Sequence, residues 1–204
     1  MKKILFICPI YNSYPQIISS LICQTNPNWE LLLIHDGPNS TGLLDIINKY
    51  NDSRVRYIEL KERINDYGHS LRQYALREIK HKNIKTNCDY VVITNPDNYY
   101  IPIFIDEMLK PFKNKKIVAT YCSKFVHGYI SAQEDGDYRF GTISTKLELG
   151  YIDCGGVVIR KKEACEIGWN SLEIYSDWTY FKDLIEAFGE DKWERVMGCL
   201  FIHN

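Results

Sequence analysis

The sequence predicts an α/β domain in which helices cover both faces of a mostly parallel central sheet. Through the first two thirds of the chain, apolar runs of strand length alternate with segments whose apolar residues recur at helical spacing. The strand-like runs are almost continuously apolar, which is typical of strands buried on both faces of a parallel sheet. A chain of 204 residues is long enough for one such domain with its own core.

Strands and helices alternate in order through about the first hundred residues. The predicted strands are Lys3–Cys8, Trp29–His35, Val55–Leu60 and Cys88–Thr94, and the predicted helices are Tyr14–Cys23, Leu43–Tyr50 and Gly68–Lys80. The loops that follow the first, second and fourth strands are rich in Asn, Asp and Tyr. Because such loops lie together at one edge of an open α/β sheet, we expect them to form a ligand crevice.

The second half of the chain is less regular. Strands are predicted at Ile117–Phe125 and Cys154–Ile159, a helix at Tyr175–Phe188, and two short apolar runs before the end. Residues 127–149 form a polar segment that is too long for an ordinary connection. The sequence contains no internal repeat and no linker-like stretch, so we interpret residues 1–204 as a single domain.

Composition and charge restrict the partners and the compartment. A formal net charge of -1 and a pI near 6.5 give no general attraction to nucleic acid. Seven scattered cysteines favour a reducing cytoplasm over a disulfide framework or a cysteine-ligated zinc site. The apolar runs fall well short of the ~20 residues of a membrane-spanning helix, and the N-terminal run lacks a signal-peptide cleavage site. We therefore expect a cytoplasmic protein with at most peripheral membrane contact, whose oligomeric state is open.

Side chains at the predicted strand ends are typical of turns, but they also suit a nucleotide pocket. Asp36-Gly37 taken alone is most simply a turn, and Pro9 and Tyr11 taken alone are most simply packing residues. Together they place a stacking ring and a hydrogen-bonding carboxylate on adjacent strand ends, a combination that suits a planar base with an N–H to donate. Arg72 is either a solvated cation or a cation that faces a nucleotide from the first turns of its helix.

Candidate metal ligands and a candidate base occur later in the chain. Asn95 and Asp97 follow a buried strand, and Mg²⁺ and Mn²⁺ prefer such oxygen ligands, although Asn-x-Asp is also common by chance. Asp177 is either the N-terminal cap of a helix or a general base. A lone residue such as His203 is usually structural, yet imidazole is also an acceptable ligand for Mn²⁺.

In their order along the chain, these segments resemble family 2 glycosyltransferases. The family's first strand is similar to LFICPIYN. Its helix end, Trp-Glu strand and Asp-Gly are similar to the later SSLICQTNPNWELLLIHDGPNSTG. Asn65-x-x-Gly68-x-x-x-Arg72 resembles the family's Asn-x-Gly…Arg helix, with one residue's difference in the spacing. VVITNPDNYYIP resembles the D-x-D-type element, and Asp177 resembles the second residue of the Glu-Asp motif.

The resemblance implies a GT-A fold, a Rossmann-like three-layer sandwich, and sugar transfer from a nucleotide diphosphate sugar. The nucleotide, in most such enzymes UDP, would be bound by Pro9, Tyr11, Asp36, Arg72 and Asp97. Asp97, with Asn95 or Asn98 and His203, would hold the Mn²⁺ or Mg²⁺ that neutralises the leaving diphosphate. Asp177 would deprotonate a hydroxyl of a glycan or lipid-linked acceptor, with inversion. Residues 1 to about 100 would bind the nucleotide, and about 101–204 would bind the acceptor and carry out catalysis.

Two departures from the family pattern keep alternatives open. Asn95 replaces the first aspartate of D-x-D, and Ser176 replaces the acidic residue before Asp177. A degenerate GT-A domain that binds a nucleotide sugar or a glycan without turnover is therefore one alternative. A sugar nucleotidyltransferase fits less well, because Pro9–Ser13 is not a Gly-rich basic loop. The sequence has no Gln-x-x-Arg-Trp after Asp177, which argues against a processive polysaccharide synthase.

Overall fold

The computed structural model describes residues 2–129 and 138–204, and nine strands of this part form one sheet. The strands are β1 (Ile4–Ile10), β2 (Trp29–His35), β3 (Val55–Glu59), β4 (Tyr90–Ile93), β5 (Tyr99–Tyr100), β6 (Ala119–Tyr129), β7 (Tyr138–Ile143), β8 (Val157–Arg160) and β9 (Trp193–His203). The helices are α1 (Pro15–Ile22), α2 (Leu43–Tyr50), α3 (His69–Lys80), α4 (Phe104–Leu109), α5 (Lys161–Ile167) and α6 (Ser176–Phe188). The sheet order is β3-β2-β1-β4-β8-β6-β9-β5, and β7 pairs with β6.

The first half of the chain forms the parallel part of the sheet. β1 pairs in parallel with both β2 and β4, and β2 pairs in parallel with β3. The order of the strands in the sheet reverses at β1, because β2 and β3 lie on one side of β1 and β4 lies on the other. The carboxyl ends of β1, β2 and β4 therefore meet at one edge, as the sequence predicts, and form a crevice where ligands bind in open α/β sheets.

The second half of the chain makes the sheet mixed, whereas the sequence predicted a mostly parallel one. β8 runs antiparallel to β4 and β6, β7 runs antiparallel to β6, and β5 runs antiparallel to β9. The two short apolar runs predicted at the end are one strand, β9, whose parallel pairing with β6 contains two register shifts. The predicted polar segment 127–149 contains β7, and its residues 130–137 lie outside the described part of the chain.

Alternating residues of the strands form two separate cores, one on each face of the sheet. From β1, Ile4, Phe6 and Cys8 point to the face covered by α1, α2 and α4. Leu5 and Ile7 point to the opposite face, which is covered by α3, α5 and α6. This arrangement confirms the three-layer α/β fold. It also explains the nearly continuous apolar runs, because both faces of the strands are covered.

The predicted strand Cys154–Ile159 is a strand only in its second half, β8, and its first three residues form a turn near the crevice. Cys154–Gly156 forms a single turn of 3-10 helix, and the Asp153 carboxylate caps it by accepting a hydrogen bond from the Gly155 backbone N–H at 2.8 Å. Asp153 thereby ends up at the carboxyl edge of the sheet, next to the crevice. Over residues 2–129 and 138–204, no helix combines the length and the apolar character needed to cross a membrane.

Candidate active site

The crevice at the carboxyl edge of the sheet is a cavity of about 640 Å³. Seven of the residues predicted from the sequence line this cavity, namely Pro9, Tyr11, Asp36, Arg72, Asn95, Asp97 and Asp177. His203 is adjacent, because its Nδ1 atom lies 3.2 Å from Oδ2 of the cavity-lining residue Asp153. Asn98, the alternative to Asn95, is fully buried behind the cavity wall and donates a hydrogen bond to Thr94 Oγ1 at 3.2 Å. The fold thus collects side chains that are spread over almost the whole sequence.

The corner at the ends of β1 and β2 combines an open aromatic ring with an anchored carboxylate. The Tyr11 ring is 52% exposed, and the Arg63 guanidinium lies 5.7 Å from its centre. The two Asp36 carboxylate oxygens accept backbone hydrogen bonds from Ile64 at 2.7 Å and Asn65 at 2.8 Å. Because each carboxylate oxygen has a second lone pair, Asp36 can hold this loop and still accept a hydrogen bond from a ligand.

Arg72 joins three parts of the cavity wall. It is only 5% exposed, and its two terminal nitrogens donate to the Tyr67 carbonyl at 2.8 Å and to Asn95 Oδ1 at 2.6 Å. Its guanidinium also lies 5.2 Å from the centre of the Trp169 ring. Among the described residues no carboxylate is in hydrogen-bond contact with this buried guanidinium, so its positive charge is available to an anionic ligand in the cavity.

The loop before α3 fits against β1 only because residue 68 is glycine. Gly68 has φ +81°, and a Cβ atom added there would lie 2.5 Å from Pro9 Cβ. We expect Gly68→Ala to lower the free energy of unfolding by about 2 kcal/mol or more, since it adds both left-handed strain and a steric contact. Urea denaturation would measure the loss.

A matched control separates the two contributions at Gly68. Gly42 also has a positive φ, +75°, but no atom of the residues that the structure describes lies within 4 Å of a Cβ atom added there. Gly42→Ala therefore reports the backbone strain alone. If the two variants lose equal stability, the steric clash between the added Cβ atom at residue 68 and Pro9 costs no measurable stability.

The residues expected to hold a metal ion are only partly suited to bind it. Burial, together with the negative charge of Asp153, raises the pKa of the Asp97 carboxyl, although the nearby His203 lowers it. The protein thus supplies too little positive charge to this carboxylate, and a divalent cation would supply more. Asn95 fits less well, because its side-chain oxygen already accepts a hydrogen bond from Arg72. Within the described ranges, no three His, Cys, Asp or Glu side chains are placed to bind one ion.

Asp177 lies in the first turn of α6 and has the properties of a base that works near neutral pH. Burial of the carboxyl group, and secondarily the negative charge of Asp153, raise its pKa to about 6. One of its oxygens accepts a hydrogen bond from the backbone N–H of Trp178 at 2.8 Å. A carboxylate with this pKa is ionised at pH 7 and is more basic than an ordinary aspartate.

Sequence reasoning missed Asp153, which connects the metal and base corners electrostatically. It raises the pKa of both Asp97 and Asp177 through its charge. Burial opposes ionisation of Asp153, but its pKa is lowered on balance, chiefly by His203 and by Lys124, whose Nζ lies 3.8 Å from Oδ2 of Asp153. The only signal in the sequence is an aspartate two residues before Gly155-Gly156 and the apolar run that follows them, a pattern that also occurs in ordinary turns.

The sequence matches a known protein family. A sequence model of the family described as Glycosyl transferase family 2 matches residues 6–168. A comparison with curated proteins found no match by sequence.

Solved structures extend the likeness to nearly the whole chain. A crystal structure of S. aureus TarS residues 1–349 superimposes with a TM-score of 0.72 at 14% identity, over 99% of this chain and 60% of that one. The same protein in complex with UDP-GlcNAc gives 0.71 at 14% identity, over 98% and 58%.

A second glycosyltransferase shows the same likeness. Glucosyl-3-phosphoglycerate synthase from Mycobacterium tuberculosis, in complex with Mn²⁺, UDP and glucosyl-3-phosphoglycerate, gives a TM-score of 0.62 at 14% identity, over 100% of this chain and 72% of that one. At such identities the likeness shows the fold, which is the GT-A fold. The present chain spans about 60% of the TarS fragment.

Proposed function

Since the chain belongs to glycosyl transferase family 2, we propose that it transfers one sugar from a nucleotide diphosphate sugar, with UDP as the expected nucleotide, to an acceptor hydroxyl. The observation that carries this proposal is one cavity lined by an open aromatic ring, a buried arginine and a carboxylate whose pKa is raised toward neutrality. Structurally similar proteins bind UDP and UDP-GlcNAc, which supports UDP as the nucleotide.

The donor would lie across the ends of β1, β2 and β4. The Tyr11 ring would stack on the base, beside Pro9, and Asp36 would accept a hydrogen bond from a base N–H. Arg72 would face the diphosphate and compensate its negative charge. An anion next to Arg72 also weakens the Arg72–Asn95 hydrogen bond, because it competes for the same guanidinium donors, and this would release the Asn95 oxygen.

Asp97 and His203, with Asn95 once it is released, would hold the Mn²⁺ or Mg²⁺. A metal shared with a diphosphate needs only one or two protein carboxylates, since phosphate oxygens and water complete its coordination. Bound there, the ion would act as a Lewis acid on the leaving group. Glucosyl-3-phosphoglycerate synthase, which has a similar fold, binds Mn²⁺ together with UDP, and this supports the assignment.

Asp177 would take the proton from the acceptor hydroxyl while the hydroxyl oxygen attacks the anomeric carbon. In-line displacement of the diphosphate inverts that carbon. The acceptor would be a glycan or a lipid-linked sugar that receives one residue per encounter in cell-surface glycan or polysaccharide synthesis. In this assignment residues 1 to about 100 bind the donor, and the rest bind the acceptor and carry out catalysis, in the cytoplasm or at the membrane surface.

Calorimetric titration of UDP and of GDP, each with and without Mn²⁺, tests the proposal. We expect Mn²⁺ to strengthen UDP binding to the wild type and Asp97→Ala to abolish that gain, because Asp97 is the principal protein ligand. Asp45→Ala is the control, since Asp45 is an exposed carboxylate on α2. If the folded wild type binds neither nucleotide, the proposal is wrong.

The alternative of a degenerate domain without turnover is favoured by one observation. The Asn95 side-chain oxygen already accepts a hydrogen bond from Arg72, so within the Asn95–Asp97 element only the Asp97 carboxylate remains to bind a metal. Hydrolysis of UDP-glucose or UDP-N-acetylglucosamine in the presence of Mn²⁺ separates the two functions. Nucleotide binding without release of UDP from either sugar would favour the degenerate domain.

A further inference from the structure

A buried carboxylate in the wall of the cavity makes more contacts than its turn requires. Asp153 lines the cavity and is 9% exposed. Its Oδ1 atom accepts the hydrogen bond from the Gly155 backbone N–H, and this contact explains why an aspartate precedes the turn. Its Oδ2 atom lies 3.2 Å from Nδ1 of His203 on β9 and 3.8 Å from Nζ of Lys124 on β6. Capping the turn makes no use of Oδ2, so the contact with His203 needs another explanation.

The backbone holds Asp153 and His203 at this separation. The turn Cys154–Gly156 packs so closely against β9 that a Cβ atom added to Gly156 would lie 2.6 Å from the Phe201 ring. His203 follows two residues later on the same strand, and this end of β9 is paired with β6. The two side chains therefore start from fixed backbone positions, and their contact has little motion to lose when a ligand binds.

The two nitrogens of the His203 ring lie in different surroundings. Nδ1 is buried, and Asp153 Oδ2 is the acceptor beside it in the described part of the chain. Nε2 is not buried, and no residue of that part makes a hydrogen bond with it. An ionised carboxylate can only accept, so a lone pair on Nδ1 would face a negative oxygen, whereas a proton there is attracted to it. A neutral imidazole carries one ring proton, and these contacts place it on Nδ1 and leave the lone pair on Nε2.

We propose that Asp153 is a positioning residue, which fixes the His203 ring in the orientation and the tautomer whose Nε2 can bind the divalent cation of the proposed site. A histidine that binds a metal usually donates its other ring N–H to a carboxylate or a carbonyl, and this contact also makes the ligating nitrogen more basic. The buried Lys124 ammonium compensates the charge of Asp153, so that the carboxylate can stay ionised inside the protein. This inference rests on the proposed function, which supplies the metal, but the tautomer that it requires exists in the metal-free protein.

The first test is the tautomer of His203 in the metal-free protein. Long-range ¹H–¹⁵N NMR correlations at about pH 8.5, where an ordinary imidazole is neutral, show which ring nitrogen carries the proton, and the spectrum of His203→Ala identifies the signals. We expect the proton on Nδ1 in the wild type. In Asp153→Asn the amide oxygen can still accept from Gly155 while the NH₂ group faces Nδ1, so the proton should move to Nε2. A wild-type ring protonated on Nε2, or a tautomer that Asp153→Asn leaves unchanged, overturns the inference.

The second test is a double-mutant cycle on Mn²⁺ affinity, measured by calorimetry with the protein saturated with UDP. Asp153→Asn should weaken Mn²⁺ binding about 10- to 100-fold, the usual effect of losing such a partner of a metal ligand. In a His203→Ala background the same substitution should change the affinity by less than about twofold, because the ring that Asp153 orients is gone. An equal loss in both backgrounds would mean that Asp153 acts through its charge or binds the ion itself, and the positioning role would be wrong.

The outcomes also separate this inference from the function on which it rests. If Mn²⁺ binds the wild type and Asp153→Asn equally well in the presence of UDP, Asp153 positions nothing, while the proposed donor site stands. If the wild type binds no Mn²⁺ in the presence of UDP, the metal assignment of the proposed function fails and this inference fails with it. Should Asp153→Asn not fold, the wild-type tautomer still decides, because measuring it requires no variant of Asp153.

Discussion

Asp177→Asn is expected to lower the turnover of UDP-sugar hydrolysis, with water as acceptor, by about 10²- to 10⁴-fold, the usual contribution of a general base. UDP binding should stay close to the wild-type value, because Asp177 would act on the acceptor and not on the nucleotide. The carboxamide retains the size and the oxygen that accepts from the Trp178 N–H, so the fold should be unaffected. Steady-state kinetics combined with calorimetry would measure both quantities.

Asp183→Asn is the matched control for this experiment. Asp183 lies on the same helix, α6, six residues after Asp177, and is not among the residues that line the cavity. It should keep wild-type turnover. An equal loss in both variants, or an active Asp177→Asn, would remove Asp177 from the role of base.

The pH dependence of the wild type gives a second check on Asp177. Only the ionised carboxylate can accept a proton, and the pKa of this group is raised to about 6 by burial and by Asp153. We therefore expect kcat/KM to be constant above about pH 7 and to fall about tenfold per pH unit well below pH 6. A fall that begins only near pH 4 would indicate an unperturbed carboxyl group.

Arg72→Ala is expected to lower the free energy of unfolding by about 3 kcal/mol and to weaken UDP binding strongly. The variant loses two short hydrogen bonds from a charged donor and the contact with the Trp169 ring, and each such interaction stabilises by about 1–2 kcal/mol. It also leaves the Tyr67 carbonyl and the Asn95 oxygen without their donor. Urea denaturation and calorimetry would measure the two effects.

Arg77→Ala is the control for Arg72. Arg77 belongs to the same helix, α3, but its side chain is more than half exposed and pairs with Glu78 at 3.0 Å. Exposed ion pairs contribute little, so this variant should unfold and bind UDP as the wild type does. If Arg72→Ala behaves like Arg77→Ala, Arg72 organises neither the loop nor the donor site.

The sequence by itself determined the first half of the fold and the family. Apolar runs such as Trp29–His35 form strands, and the observed strand ends lie within about two residues of the predicted ones. The prediction works because strands buried on both faces must be apolar throughout. The loops at their carboxyl ends then had to meet at one edge, which placed Asp36 and Asp97 in one cavity. The family assignment is confirmed by the match over residues 6–168. The roles of the individual site residues stay predictions.

Only the tertiary structure decided the mixed sheet and the partners within the site. Strand direction in the second half depends on which edges pair, as β8 with β4 and β9 with β6, and local periodicity carries no information on that. Likewise, the contact of Arg72 with Asn95 and the effect of Asp153 on Asp177 join residues more than twenty positions apart. Spatial proximity sets these hydrogen bonds and charges, and proximity of distant residues exists only once the chain is folded.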